Sequence, residues 1–263
     1  MRFLILSVLI LNSFALAYDP VATERLVARV RQVSATPVWP VVVFDLDDTL
    51  FDTRTRSRLI LLNFVEDPKI EDSFPNETHL IRTLRASDIG WDTEQSLKNI
   101  GITDKDFLAQ AVAYWRQGFF SDDFCDLDET LPGAAPYVQR LWRAGAYVVY
   151  LTGRLDNLMR RCTISALRQN NFPMEGHTYL SMKDQKEMGD LEFKKKSLSM
   201  ISGIGQIVGG FDNEPININT MKETFPESLM VYVDTIHSPR PDVPAVNIPW
   251  VHDFLKTDYH GES

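Results

Sequence analysis

The segment Val41-Val42-Val43-Phe44 most narrows what this chain can fold into. It is an unbroken apolar run of mainly β-branched residues with no polar position to face water, and it stops on an acid. Such a strand is covered on both faces, the environment of a parallel sheet packed between helices. Tyr147–Leu151, Ile207–Phe211 and Leu229–Val233 repeat the pattern, and Thr178-Tyr179-Leu180 is a weaker version of it. Helical spacing lies between them, over Ala135–Ala144 and about Asp156–Asn170, Lys194–Ile201 and Ile218–Thr224. Gly145 stands where a helix-terminating glycine belongs. A short amphipathic helix, Thr23–Val33, precedes the first strand. The alternation predicts right-handed βαβ units around one parallel sheet, an α/β core of Rossmann-like type.

The rhythm breaks after the first strand. Residues 54–128 hold no strand pattern but three helical ones, Leu59–Val65, Leu80–Leu84 and Phe107–Trp115. A helical insertion there lies over the carboxyl edge of the sheet, where open α/β sheets bind ligands. The expected organisation is therefore a core of residues 18–53 and 129–263 carrying a helical cap of residues 54–128. Pro239, Pro241, Pro244 and Pro249 predict that the tail wraps the surface without regular structure.

Before residue 18 the chain reads as a signal peptide. Met1-Arg2 supplies a positive start, Phe3–Leu11 is apolar apart from Ser7, and Ala15-Leu16-Ala17 offers the small residues of a cleavage site. The apolar run is too short to span a bilayer, which takes about 20 residues. Export, to a periplasm or to the medium, is the expectation. The two cysteines, Cys125 and Cys162, would then meet an oxidising compartment, either as one disulfide or as two separately buried thiols. With 27 Lys+Arg against 36 Asp+Glu and a net charge of −9, the chain lacks the basic face that binding a nucleic-acid polymer requires.

The chemistry is concentrated in Asp45-Leu46-Asp47-Asp48-Thr49-Leu50, directly after the first strand. Carboxylates at i and i+2 on a strand end repel one another unless a cation sits between them. Mg²⁺, which binds through few carboxylates plus water and substrate phosphate, answers that need. One carboxylate can attack phosphorus to give an aspartyl-phosphate, while the other protonates the leaving oxygen and later activates water. Acidic helix caps are the plainer reading of the same hexapeptide. The later strands end on groups that a phosphate site would use: Thr152-Gly153-Arg154, Asp212-Asn213, and one lysine of Lys194-Lys195-Lys196. At least two of these lysines face solvent. Arg154 is either a fork for phosphate or substrate or a surface arginine at a helix start.

In that order, Asp45-Leu-Asp-Asp-Thr-Leu, Leu151-Thr-Gly-Arg154, Phe193-Lys194 and Gly210-Phe-Asp-Asn213 resemble the four motifs of the haloacid dehalogenase superfamily. The resemblance runs from about Val41 to Asp234 and excludes the cap. It implies that Asp45 is the nucleophile and Asp47 the general acid/base. Thr152 and Lys194 would stabilise the phosphoryl group, Gly153 and Arg154 would contact substrate, and Asp45, Asp47 (through its carbonyl) and Asp212 would hold Mg²⁺. Relatives often carry a second aspartate where this chain has Asn213, a change that weakens metal binding or shifts a ligand to Glu214 or water. Asp47 separates the chain from dehalogenases, which lack an aspartate there, and from P-type ATPases, which carry threonine. The insertion after motif one matches the type-one cap arrangement, and with an export signal the chain is similar to secreted acid phosphatases of this superfamily. The implied activity is hydrolysis of a small phosphomonoester. Phosphotransfer on the same scaffold, or a non-catalytic binding or surface domain, are the alternatives, and Asn213 is the one feature favouring the last.

Two further patterns carry less. Cys162 and Arg168 have the Cys-x5-Arg spacing of tyrosine-phosphatase loops, but the stretch lacks glycine and continues a helical pattern. Arg54, Arg56 and Arg58 read first as a solvated helix face, with guidance of an anionic substrate under the cap as the alternative. The five histidines are scattered without metal-ligand spacing.

Overall fold

The computed structural model describes residues 18–255, so the expected signal peptide lies outside the described residues. Its strands are β1 (Pro40–Phe44), β2 (Phe51–Asp52), β3 (Glu129–Thr130), β4 (Tyr147–Leu155), β5 (Thr178–Lys183), β6 (Gln206–Asp212), β7 (Leu229–Val233) and β8 (Trp250–Val251). The helices are α1 (Ala22–Ser34), α2 (Arg54–Phe64), α3 (Pro68–Ser73), α4 (Pro75–Thr83), α5 (Thr93–Asn99) and α6 (Lys105–Phe119), followed by α7 (Ala134–Arg143), α8 (Asp156–Gln169), α9 (Asp190–Ile201) and α10 (Pro215–Thr224). Six strands form one parallel sheet in the order β5-β4-β1-β6-β7-β8, with β1 central. This is the Rossmann-like α/β architecture that the apolar runs predict.

The alternation of side chains explains why β1 needs no polar residue. Val42 and Phe44 face a cluster completed by Leu26 and Val30 of α1 and Tyr137 and Leu141 of α7. Val41 and Val43 face the opposite cluster, with Phe193 and Leu198 of α9 and Ile218 and Met221 of α10. Each fully buried side chain of this size contributes about 1.5–3 kcal/mol. Gly209 permits the close approach of α1, because a β-carbon there would lie 2.5 Å from Leu26 Cδ1 and 2.8 Å from the Leu229 carbonyl. Gly145 ends α7 with φ of +101°, as its place in the sequence predicts.

The helical stretch after the first strand leaves through β2 and returns through β3, which pair with each other antiparallel. It packs around its own apolar cluster, including Leu61, Phe64, Ile81, Leu97, Phe107 and Ala111. The tail differs from expectation: Trp250 and Val251 pair in parallel with β7 and give the sheet its sixth strand. No helix among the described residues is long and apolar enough to cross a membrane.

Candidate active site at the carboxyl edge of the sheet

Phe44 and Phe211 are register partners on β1 and β6, with their rings stacked at 5.0 Å. The next residue on each strand is an aspartate, so the sheet sets Asp45 beside Asp212. The Asp45 amide donates to the Phe211 carbonyl at 3.0 Å, which fixes the strand end. Residues 46–51 then turn tightly: the Leu50 and Phe51 amides both return to the Leu46 carbonyl, at 2.9 and 3.0 Å. Asp48 takes φ of +54° in this turn, a conformation that aspartate tolerates better than most residues. Its carboxylate accepts from the Thr53 amide and hydroxyl, both at 3.0 Å. Burial pushes the Asp48 carboxyl up to about 7 despite these bonds.

Lys194, on α9, joins the two aspartates. Its ammonium lies 3.0 Å from Asp45 Oδ1 and 2.6 Å from Asp212 Oδ2, and all three side chains are buried. Lys195 and Lys196 are exposed, as expected of at least two of the three. Asp212 is well satisfied, since Oδ1 also accepts from the Glu214 amide at 2.9 Å and from Asn217 at 3.2 Å. Asp45 is not: Oδ2 has a single long contact, 3.5 Å from the Thr49 hydroxyl. Burial dominates and raises the Asp45 carboxyl to about 8, with Lys194 opposing and Asp212 and Asp47 adding to the rise. This donor set suits Mg²⁺: two clustered carboxylates share one ammonium, and one oxygen of Asp45 is almost unengaged. Among the described residues no group of three acidic, histidine or cysteine side chains forms a ready metal cage. Mg²⁺ characteristically fills such a site with water and phosphate oxygens.

Asp47 points elsewhere. Its Oδ1 lies 2.9 Å from Arg56 Nη2, and Arg154 forks onto it through Nε, at 3.0 and 3.2 Å, and Nη2. Burial would raise this carboxyl, but Arg154 and Arg56 outweigh it and hold it down at about 2. The Asp47 carboxylate is thus held by two arginines. Arg154 corrects both readings of it. It is neither a surface arginine nor a free fork, because its guanidinium is buried against Asp47 and Asp128. Arg56 corrects the solvated-face reading, since it is fully buried, while Arg54 binds Asp52 and Arg58 donates to the Leu84 carbonyl at 2.7 Å.

Thr152 lies two residues beyond Tyr150, the register partner of Phe44, and its hydroxyl accepts from the Arg154 amide at 3.2 Å. Gly153 faces α9, where a β-carbon would come within 3.1–3.2 Å of the Asp190 carboxylate. The side chains of Asn213 and Glu214 make no direct contact with Asp45 or Asp212. Asn213 accepts from Thr49 at 3.1 Å and donates to the Ile236 carbonyl at 2.6 Å, and Glu214 accepts from the Ser238 amide and hydroxyl. Neither contact set offers the replacement ligand that the missing second aspartate suggested.

Three participants were not legible in the sequence. Thr49 bridges Asp45 and Asn213, Thr163 accepts from Arg154 Nη1 at 3.3 Å, and Asp128 pairs with both buried arginines. The pairing of Cys125 with Cys162, left open by the sequence, is also settled here. They form a disulfide with α-carbons 5.6 Å apart, joining the turn before Asp128 to α8.

The sheet order β5-β4-β1-β6-β7-β8, with a helical stretch between β2 and β3, is a Rossmann-like α/β arrangement with counterparts among solved structures. Among solved structures, one from Clostridium difficile named "Putative Phosphatase" superposes with a TM-score of 0.52 at 15% identity, over 78% of this chain and 89% of that one. The class C acid phosphatase from Bacillus anthracis, with tungstate bound, has 19% identity over 90% of this chain and 81% of that one, at a TM-score of 0.46. A haloacid dehalogenase-like family hydrolase from Streptococcus pneumoniae has 14% identity over 76% and 88%, also at 0.46. No family model and no curated protein matches the chain.

Proposed function

We propose that the chain is an exported, Mg²⁺-dependent phosphomonoesterase that works through an aspartyl-phosphate on Asp45. The observation that carries this reading is the convergence of Asp45, Lys194 and Asp212 at adjacent strand ends, where Asp45 keeps one oxygen almost free. In the first half-reaction an Asp45 oxygen bonds to phosphorus as the bond to the alcohol oxygen breaks, and that oxygen takes a proton from Asp47. In the second, water attacks the same phosphorus, gives a proton to Asp47, and phosphate leaves with Asp45 restored. Lys194 and Thr152 stabilise the charge on the transferring group. Mg²⁺, held by Asp45 and Asp212 with the Asp47 carbonyl, would neutralise phosphate oxygens and favour an ionised Asp45. The disulfide supports export, because such bonds persist in oxidising compartments.

The test is phosphate release by the purified protein from a panel of phosphomonoesters, with Mg²⁺, with EDTA, and in Asp45→Asn. Turnover that needs both Mg²⁺ and Asp45 is expected. Activity surviving Asp45→Asn would remove the proposed nucleophile. Failure both to hydrolyse any ester and to become phosphorylated on Asp45 by acetyl phosphate would favour a binding domain.

A further inference from the structure

The Asp128 side chain is fully buried, and it lies where no motif points. Its Oδ2 is 2.6 Å from Arg154 Nη2 and its Oδ1 is 3.0 Å from Arg56 Nε. The same two guanidiniums reach Asp47, so four charges alternate around a closed ring: Asp47, Arg56, Asp128, Arg154. The arginines are otherwise braced from outside. Arg56 lies 3.9 Å over the Phe119 ring and donates to the Phe119 carbonyl at 3.3 Å, and Arg154 donates to Thr163. Asp128 is itself clamped on both sides. Cys125, three residues before it, is bonded to Cys162 on α8, and the strand that follows it pairs with β2.

Of the four members, only Asp47 keeps appreciable exposure, 30% of its side chain. It is therefore the one that can meet a substrate, and the other three form its mount. Two buried guanidiniums facing one half-open carboxylate would have no reason to keep this arrangement. Each needs a second carboxylate behind it, and Asp128 serves both. The Arg56 Nε to Asp128 Oδ1 approach is close but poorly aligned for a hydrogen bond, so this corner of the ring is held by charge and packing.

We propose that Asp128 is a positioning residue, acting through Arg56 and Arg154 to aim the Asp47 carboxyl at the leaving oxygen of the phosphoester. This rests on the phosphatase reading and deepens it. The consequence is a dependence on the leaving group. An alkoxide must take the Asp47 proton as its bond to phosphorus breaks, whereas p-nitrophenolate departs without one.

The experiment compares kcat/KM for p-nitrophenyl phosphate and for the best alkyl phosphomonoester in wild type, Asp45→Asn and Asp128→Asn. In Asp128→Asn the alkyl ester is expected to lose about 10²-fold, the lower end of a general-acid contribution, and the aryl ester less than about threefold. Circular-dichroism melting checks that the variant is folded. If it is not, Asp128→Glu keeps the buried charge balance, displaces the two forks, and should show the same selective loss on a smaller scale. Equal loss on both esters, or no loss, in the folded variant overturns the role given to Asp128. Wild-type turnover that survives Asp45→Asn, or the absence both of turnover on any ester and of Asp45 phosphorylation by acetyl phosphate, overturns the phosphatase reading and this inference with it. Asp45-dependent turnover with an unchanged aryl-to-alkyl ratio overturns this inference alone.

Discussion

Replacing the proposed nucleophile should stabilise the protein, and only above acid pH. Asp45 is buried with one oxygen nearly unpartnered, and its carboxyl is raised from 3.8 to about 8. A folded-state pKa above the unfolded one means that the folded chain keeps a proton the unfolded chain releases. Stability from this group is then complete below about pH 4 and is lost as pH rises towards 8. At pH 7.5, with about 1.4 kcal/mol per unit, the loss from Asp45 is on the order of 3–5 kcal/mol. Asparagine imitates the protonated acid, so Asp45→Asn escapes that loss. In a chain of this size the gain corresponds to roughly 10 °C in Tm. Calorimetric melts in EDTA at pH 4.5 and 7.5 read the effect directly. The variant should melt close to wild type at pH 4.5 and well above it at pH 7.5. Mg²⁺ should then narrow the gap at pH 7.5 by raising wild type and not the variant. A variant that melts at or below wild type at pH 7.5 would refute the reasoning, because Asp45 would then be ionised in the fold, with Lys194 outweighing burial.

Two further outcomes follow from the same geometry. Lys194→Met leaves the buried Asp212 without its ammonium at 2.6 Å, and breaking such a pair costs about 3–5 kcal/mol; urea unfolding should show the drop together with loss of turnover. Reducing the Cys125–Cys162 bond, which spans a sequence separation of 37, should cost about 4 kcal/mol by the loop-entropy model, visible as a Tm that reductant lowers in wild type and leaves unmoved in a Cys-free variant.

The parts of the fold that were legible in sequence are those fixed locally. β1 shows as an all-apolar run because both of its faces are covered, and α7 shows its limits because Gly145 adopts a backbone conformation that other residues avoid. The aspartates at the strand ends were legible for the same reason, since register alone brings Asp45 beside Asp212. The ring around Asp47 was not. Arg54 and Arg58 share one face of α2 and Arg56 lies on the opposite one, but an arginine there does not by itself announce a buried carboxylate partner. That partner is Asp128, which arrives only when β3 closes on β2 at the far end of the helical stretch. Likewise Trp250 and Val251 join the sheet in spite of the prolines before them, because β7 would otherwise present an unpaired edge.

The electrostatics of the site argue for what completes it. Burial raises the Asp45 carboxyl to about 8 and the arginines hold the Asp47 carboxyl at about 2, whereas the proposed mechanism calls for an ionised Asp45 and a protonated Asp47. The two faults have opposite signs and lie in adjacent places. Positive charge brought to Asp45 and Asp212 would lower the first carboxyl, and negative charge brought against the exposed side of Asp47 would raise the second. A cation alone corrects only Asp45, and an anion alone corrects only Asp47. A divalent cation bound together with a phosphate group, as proposed for this site, would supply both signs at once. On the proposed reading, metal and phosphoester are therefore the pair of charges that would bring both carboxyls towards the states hydrolysis requires.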